Sequence, residues 1–175
     1  MLILNFKQVH RCYVITQRSG QTKIVRGISY RGNLFVRVRV FESDRFHEAL
    51  KICRQLLDKP IPILSLIIEE KNAYTVWSQD KQARLIDFPE IVKQMRDQQG
   101  ITVKNYRHLF QVHQQCFVGS EAVEWLAYCL QIPRQEAVIV GQLLVHQNII
   151  SPVIAPSSFQ DSHQLYRFIR DENYA

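Results

Sequence analysis

Residues 116–130 read CFVGSEAVEWLAYCL, and residues 133–153 continue PRQEAVIVGQLLVHQNIISPV. Apolar side chains fall around most of a helical circumference in both strings, as in helices packed on several sides. The pattern predicts two helices, over residues 120–130 and 134–147. Gly119 stands before the first, where it allows a turn that a Cβ would strain, and Ser120 is a candidate cap for the helix start. Gly141 sits inside the second. An interior Gly costs about 1 kcal/mol against Ala, so its presence predicts close approach of another backbone. Trp125, Leu126, Leu143 and Leu144 are core candidates, and none of these residues is a catalytic candidate.

Upstream, Asp87 precedes Pro89 in a first turn and Glu90 three residues on, a pattern close to a capping box. Phe88, Ile91, Val92 and Met95 give that helix an apolar stripe, and Gly100 stops it. A polar, β-prone stretch follows over residues 102–113. Downstream, short extended pieces at 149–154 and 164–169 close the chain. Helix, hairpin, helix, helix and a small terminal hairpin is a winged-helix layout.

Three blocks of this half agree in order and spacing with one family. Phe117-x-Gly119-Ser120-Glu121 leads to the pair Trp125-Leu126. Arg134-x-Glu136-Ala137 opens the helix that carries Gly141, Leu143 and Leu144. Phe159-x-Asp161 precedes Tyr166-x-Phe168. Residues 87–170 thereby resemble a DEP domain, the module named after Dishevelled, Egl-10 and pleckstrin. The resemblance implies docking: such domains bring signalling proteins to membranes through anionic lipid or a membrane-bound receptor. The hairpin between their first two helices often forms a basic finger. Here the finger would span residues 103–111, with Lys104, Arg107 and His108 at its tip and Tyr106, Leu109 and Phe110 interleaved. A basic loop with exposed aromatics fits an anionic surface or a partner protein; the alternative is a solvated hairpin whose aromatics pack back on the core. The near-neutral charge of this half favours protein docking over direct lipid binding.

The other half reads differently. Residues 12–17, 22–30 and 34–41 are rich in β-branched and aromatic residues, with Ser19-Gly20 and Arg31-Gly32-Asn33 supplying turns. They predict a three-stranded antiparallel meander. In its third strand Leu34, Val36, Val38 and Val40 alternate with Phe35, Arg37, Arg39 and Phe41, which predicts one apolar face and one basic, aromatic face. Ser43 is a candidate cap for a helix bearing Phe46, Ala49, Leu50, Cys53, Leu56 and Leu57 on one side, ended at Lys59-Pro60. Residues 63–69 and 73–78 form a hairpin turning at 70–72. The N-terminal half is thus a β-β-β-α-β-β unit, an antiparallel sheet with one packed helix, and the whole chain is α+β. The polar tract 78–84 places the junction near residue 82, giving domains 1–82 and 83–175.

Charge divides along the same line. The chain of 175 residues carries 22 Lys and Arg against 16 Asp and Glu. Residues 1–82 hold 14 against 7, and residues 83–175 hold 8 against 9. Two units with different partners are implied, the basic one meeting an acidic partner. Arg37 and Arg39 with Phe35 and Phe41, joined by Arg26 if the register allows, could pair phosphates while stacking bases. The same face could dock on an acidic protein or membrane, or be only a solvated sheet face. A helix over 134–147 with one Arg, one Glu and an apolar surface does not suit DNA recognition.

The apolar fraction of 46% and charged fraction of 22% are those of a globular chain rather than a disordered one. Residues 1–6 do not read as a signal peptide, and no apolar run reaches membrane-spanning length. Four cysteines without a CxxC suggest neither a disulfide framework nor a zinc ribbon, and point to the cytosol, with peripheral attachment at a membrane as a further option. His108, His113 and Cys116 lack a fourth metal ligand at suitable spacing. There is no Gly-rich phosphate loop, HExxH or GxSxG. The expectation is a non-enzymatic adaptor without metal, cofactor or small-molecule substrate, whose partner is a protein, an anionic membrane surface or, as the competing reading, nucleic acid.

Overall fold

In the computed structural model, which describes residues 2–108, 111–154 and 158–170, the N-terminal unit contains β1 (Leu2–Asn5), β2 (His10–Arg18), β3 (Gln21–Tyr30), β4 (Asn33–Glu42), α1 (Phe46–Leu57), β5 (Ser65–Glu70), β6 (Ala73–Gln79) and β7 (Arg84–Leu85). The meander β2-β3-β4 and the hairpin β5-β6 form where the sequence predicts. Both meander turns place two residues at positive φ, Ser19-Gly20 and Arg31-Gly32. This is the left-handed geometry that matches the twist of the flanking strands.

The strands join in one sheet of order β1-β5-β6-β4-β3-β2-β7. Two members carry no local signal. β1 lies parallel to β5, from Leu2↔Leu66 to Asn5↔Glu69, and β7 pairs with β2 through Val14↔Leu85 and Ile15↔Arg84. Because residues 84–85 complete this sheet, the division between units falls at Ile86/Asp87, beyond the expected junction at residue 82.

Five strand spacings separate β1 from β2, about 24 Å on a flat sheet. The five steps from Asn5 to His10 reach at most about 18 Å even if fully extended, and Phe6–Gln8 are wound as a 3-10 turn. The sheet must therefore curl. Its inner face gathers Leu4, Val9, Ile28, Phe35, Leu66, Ile68 and Trp77, side chains drawn from strands far apart in the order.

Helix α1 covers the opposite face, packing Ala49, Cys53, Phe46, Leu50 and Leu56 against Phe41, Ile67 and Val76. Ser43 does not cap it. Ser43–Arg45 already turn as a 3-10 segment, so the hydroxyl lies outside the helix start, and Arg45 holds the cap position without a side-chain bond.

The second unit contains α2 (Phe88–Met95), β8 (Lys104–His108), β9 (Gln111–Val118), α3 (Gly119–Leu130), α4 (Arg134–His146), β10 (Ile150–Pro152) and β11 (Leu165–Phe168). Its sheet runs β10-β11-β9-β8, antiparallel throughout. Asp87 caps α2 as predicted, accepting from Glu90 N at 3.2 Å. Phe117, Tyr166 and Phe168 share one face of the sheet, with ring centroids of Phe117 and Phe168 5.2 Å apart. All three are fully buried, as are Ala122, Leu126, Val140 and Leu144 of the helices.

Two sequence expectations for the helix starts are corrected. Gly119 is not at positive φ; it is required because a Cβ would lie 2.5 Å from Gln160 O. Ser120 is inside α3 and its side chain does not cap it. The first N–H groups of the helix donate instead to backbone carbonyls brought in from afar, Gly119 N to Gln164 O and Ser120 N to Ser162 O, both 2.9 Å.

Candidate functional site

Strand pairing redistributes the basic finger. His108 pairs with Gln111 and Arg107 with Val112, which puts these two next to the turn, but Lys104 pairs with Cys116 at the base of the hairpin. Lys104 is therefore not a tip residue. Lys104 and Arg107 are three residues apart on one strand, about 10 Å, and face opposite sides of the sheet. Between them the register shifts by one residue of β9, where Gln115 adopts φ 52 and its N–H donates to Asn105 Oδ1 at 3.0 Å. Tyr106 is not an exposed aromatic. It packs against Cys116, Val118 and Leu165, its hydroxyl buried without a hydrogen-bond partner. Leu109 and Phe110, and the side chain of His108, lie outside the described residues.

What the hairpin loses as a tip it gains across the sheet. Cys116 pairs with Lys104 on one side and Arg167 on the other, so Lys104, Cys116 and Arg167 form one row on one face. Lys104 Nζ sits 5.1 Å from the Tyr106 ring centroid. The Arg167 Nε is buried without a partner. Sequence reading missed Arg167 because it lies about 60 residues away from Lys104, inside a strand whose Tyr-x-Phe spacing draws attention to its neighbours.

The basic face of the N-terminal sheet is also rearranged. Phe35 and Phe41 are 2% and 3% exposed, whereas Val38 and Val40 are 44% and 49% exposed, the reverse of the predicted alternation. The cause is a bulge: Arg37 pairs with Trp77 and Arg39 with the very next residue, Val76, leaving Val38 as the extra residue. One inserted residue flips every later side chain to the other face. Phe35 and Arg37 thus lie on the inner face, and Arg39 and Phe41 on the helix-covered face, where the Arg39 guanidinium carbon is 5.2 Å from the Phe41 centroid. Arg26 pairs with Tyr13 and shares a face with buried Ile28 two residues on, so it joins Arg37, not Arg39. Arg26, Arg37 and Arg39 are all exposed. No aromatic of this set is available for stacking, since both rings are core.

Burial pushes all four thiols, Cys12, Cys53, Cys116 and Cys129, above the ordinary range. At Cys116 the effect of burial exceeds the opposing charge and hydrogen bond of Arg167. Such thiols are protonated and poorly nucleophilic. Cys116 also faces a buried apolar cluster rather than His113, and among the described residues no group of three His, Cys, Asp or Glu side chains could hold a metal.

The three sequence blocks of the second unit meet in space. Arg134 binds Asp161 through two bonds, Nε to Oδ2 at 3.0 Å and Nη2 to Oδ1 at 2.6 Å. The ring of Phe159 fills the space beside Gly141, so the close neighbour there is an aromatic ring, not the backbone the sequence suggested. Tyr166 Oη accepts from Gln160 N at 3.0 Å and donates to Ser158 O at 3.2 Å. These residues tie the segment before the final strand to the helices.

Comparison with known proteins agrees. Residues 100–168 match the family model described as "Domain found in Dishevelled, Egl-10, and Pleckstrin (DEP)". The chain is 31% identical over 88 residues, 49% of its length, to "Vacuolar membrane-associated protein IML1" of Candida albicans. It is 33% identical over 95 residues, 54% of its length, to the human "Phosphatidylinositol 3,4,5-trisphosphate-dependent Rac exchanger 2 protein". Each alignment spans 6% of the relative. Among solved structures, the DEP domain of human pleckstrin aligns with 47% of this chain and 76% of its own at 23% identity and a TM-score of 0.43. The DEP domain of mouse pleckstrin aligns with 47% and 87% at 24% identity and a TM-score of 0.41.

Proposed function

We propose that the chain is a non-enzymatic signalling adaptor: its DEP domain, read as a winged helix, docks on a protein or membrane-associated partner, and its N-terminal domain binds an acidic partner. The row Lys104–Cys116–Arg167 carries this reading. Two cations flank a small buried apolar cluster on the sheet face opposite the aromatic core, which suits an anionic group paired by both cations. The printed names of two relatives, one vacuolar membrane-associated and one phosphatidylinositol-phosphate-dependent, support a peripheral place at a membrane. Among the described residues no helix is long and apolar enough to cross one. The thiols, held protonated, support a non-catalytic role.

Charge reversal at Lys104 in the full chain should weaken recruitment to membranes or a captured partner while leaving the unfolding transition in place. Recruitment that survives Lys104→Glu combined with Arg107→Glu would refute docking through this hairpin. The competing reading, nucleic-acid binding, draws on the exposed pair Arg26 and Arg37 on the inner sheet face beside Tyr13 and Trp77. Fluorescence anisotropy with generic RNA and DNA separates the two, since phosphate-driven binding weakens steeply with salt.

A further inference from the structure

We infer that the loop joining α1 to β5 inserts into a membrane interface and that the cleft beside it seats the phosphate of an anionic lipid headgroup. Residues 58–64 read DKPIPIL. Ile61 is 75% exposed and Leu64 52%, side chains that would each gain from leaving water. Their exposure is built in. Ile63 N donates to Leu56 O at 3.1 Å and Gln79 N donates to Leu64 O at 2.8 Å, pinning both ends of the loop. Pro60 and Pro62 fix φ between those anchors and remove two N–H groups that an apolar phase would leave unpaired. The tip is a rigid apolar prow.

Beside it lies a cleft of about 370 Å³. Ile61, Pro62 and Ile63 line it together with Thr16, Arg18 and Lys81. The one acid present, Asp80, is already engaged: it accepts from the Thr16 hydroxyl and from the N–H groups of Gln82 and Ala83 at 2.9 and 3.1 Å. Arg18 gives one guanidinium N–H to Arg37 O at 3.2 Å and has others to offer. Two cations thus border an apolar tip, and the unit around them carries 15 Lys and Arg against 7 Asp and Glu over residues 1–86. That juxtaposition matches the boundary of a bilayer, where phosphate lies just above hydrocarbon. A phosphodiester backbone would satisfy Arg18 and Lys81 but leave Ile61 and Leu64 in water. The inference rests on the reading that the basic domain meets an acidic partner, and it names that partner as an anionic bilayer.

The test is flotation of the full chain with phosphatidylcholine vesicles, with and without phosphatidylserine, at low salt. Binding is expected only with phosphatidylserine. Ile61→Asp should lower the partition coefficient by roughly tenfold or more, and Lys81→Gln and Arg18→Gln by roughly fivefold each. Ile61→Trp, which keeps an interfacial side chain, should retain binding, and circular dichroism should show all variants folded, since Ile61 is exposed. Equal flotation with and without phosphatidylserine, or an Ile61→Asp variant that floats like the parent, would overturn the inference, as would capture by RNA or a protein with no vesicle binding. Lys104→Glu run in parallel separates the two sites. Loss there with Ile61→Asp unaffected refutes the loop and leaves hairpin docking standing; the opposite pattern does the reverse.

Discussion

The ring of Phe159 stands where a side chain on Gly141 would have to go: a Cβ there would lie 2.1 Å from Phe159 Cε1. Phe159 is 3% exposed and its ring centroid is 4.7 Å from that of Tyr166, so it cannot swing aside without disturbing the core. Gly141→Ala gains about 1 kcal/mol of helix propensity yet overpacks the site at about 1–3 kcal/mol or more. The expected net result is a second unit that unfolds at lower denaturant. A midpoint equal to or above the parent's would show that Phe159 is free to move.

The bulge at Val38 separates side chains that simple alternation puts together. Phe35→Ala and Phe41→Ala should each cost about 3–5 kcal/mol, as buried Phe truncations do. Arg37→Ala and Arg39→Ala, both exposed, should stay within about 0.5 kcal/mol. Chemical denaturation of the full chain, followed through the N-terminal transition, checks this. Four equal, small effects would put the phenylalanines back on the surface.

In the hairpin, position decides which cation matters. Arg167 shares a row with Lys104, and Arg107 lies on the opposite face. If the row is the docking surface, Lys104→Gln and Arg167→Gln should weaken recruitment in concert, non-additively, because they touch one group. Arg107→Gln should change it little. Purely additive losses, or a dominant Arg107, would move the contact to the hairpin tip.

Cys53 and Cys116 are fully buried, and Cys12 and Cys129 only half so. A thiol reagent should label the second pair first and the first pair only on unfolding. Burial raises these thiols above their ordinary 9.0, so from about pH 9 upward the unfolded chain loses protons that the folded chain keeps. The unfolded state then binds fewer protons, and stability falls as pH rises. Cys53→Ala should flatten that fall; a slope unchanged by Cys53→Ala and Cys116→Ala together would show that other groups cause it.

Much of the fold could be read locally. The helices α1 to α4, the two meander turns and the β5-β6 hairpin follow from periodicity and from turn residues, which act over a few positions. The site was less legible. Arg26, Arg37, Arg39, Lys104 and Arg107 are exposed as read, but their grouping was not, because neighbours on a sheet face are set by register with other strands. A bulge, like that at Val38 or at Gln115, leaves no local mark: its position depends on where the partner strand pairs.

By itself the sequence determined the α+β class, the DEP blocks and the division of charge. Each is written in contiguous residues or a simple sum. Tertiary structure alone decided that β1 pairs with β5 some 60 residues on and curls the sheet, that Phe35 and Phe41 turn inward on opposite faces, and that Lys104 shares a sheet face with Arg167, across Cys116, rather than with Arg107. The reason is common to all three. Pairing across a sheet is fixed by burial of whole faces, a quantity no single strand contains.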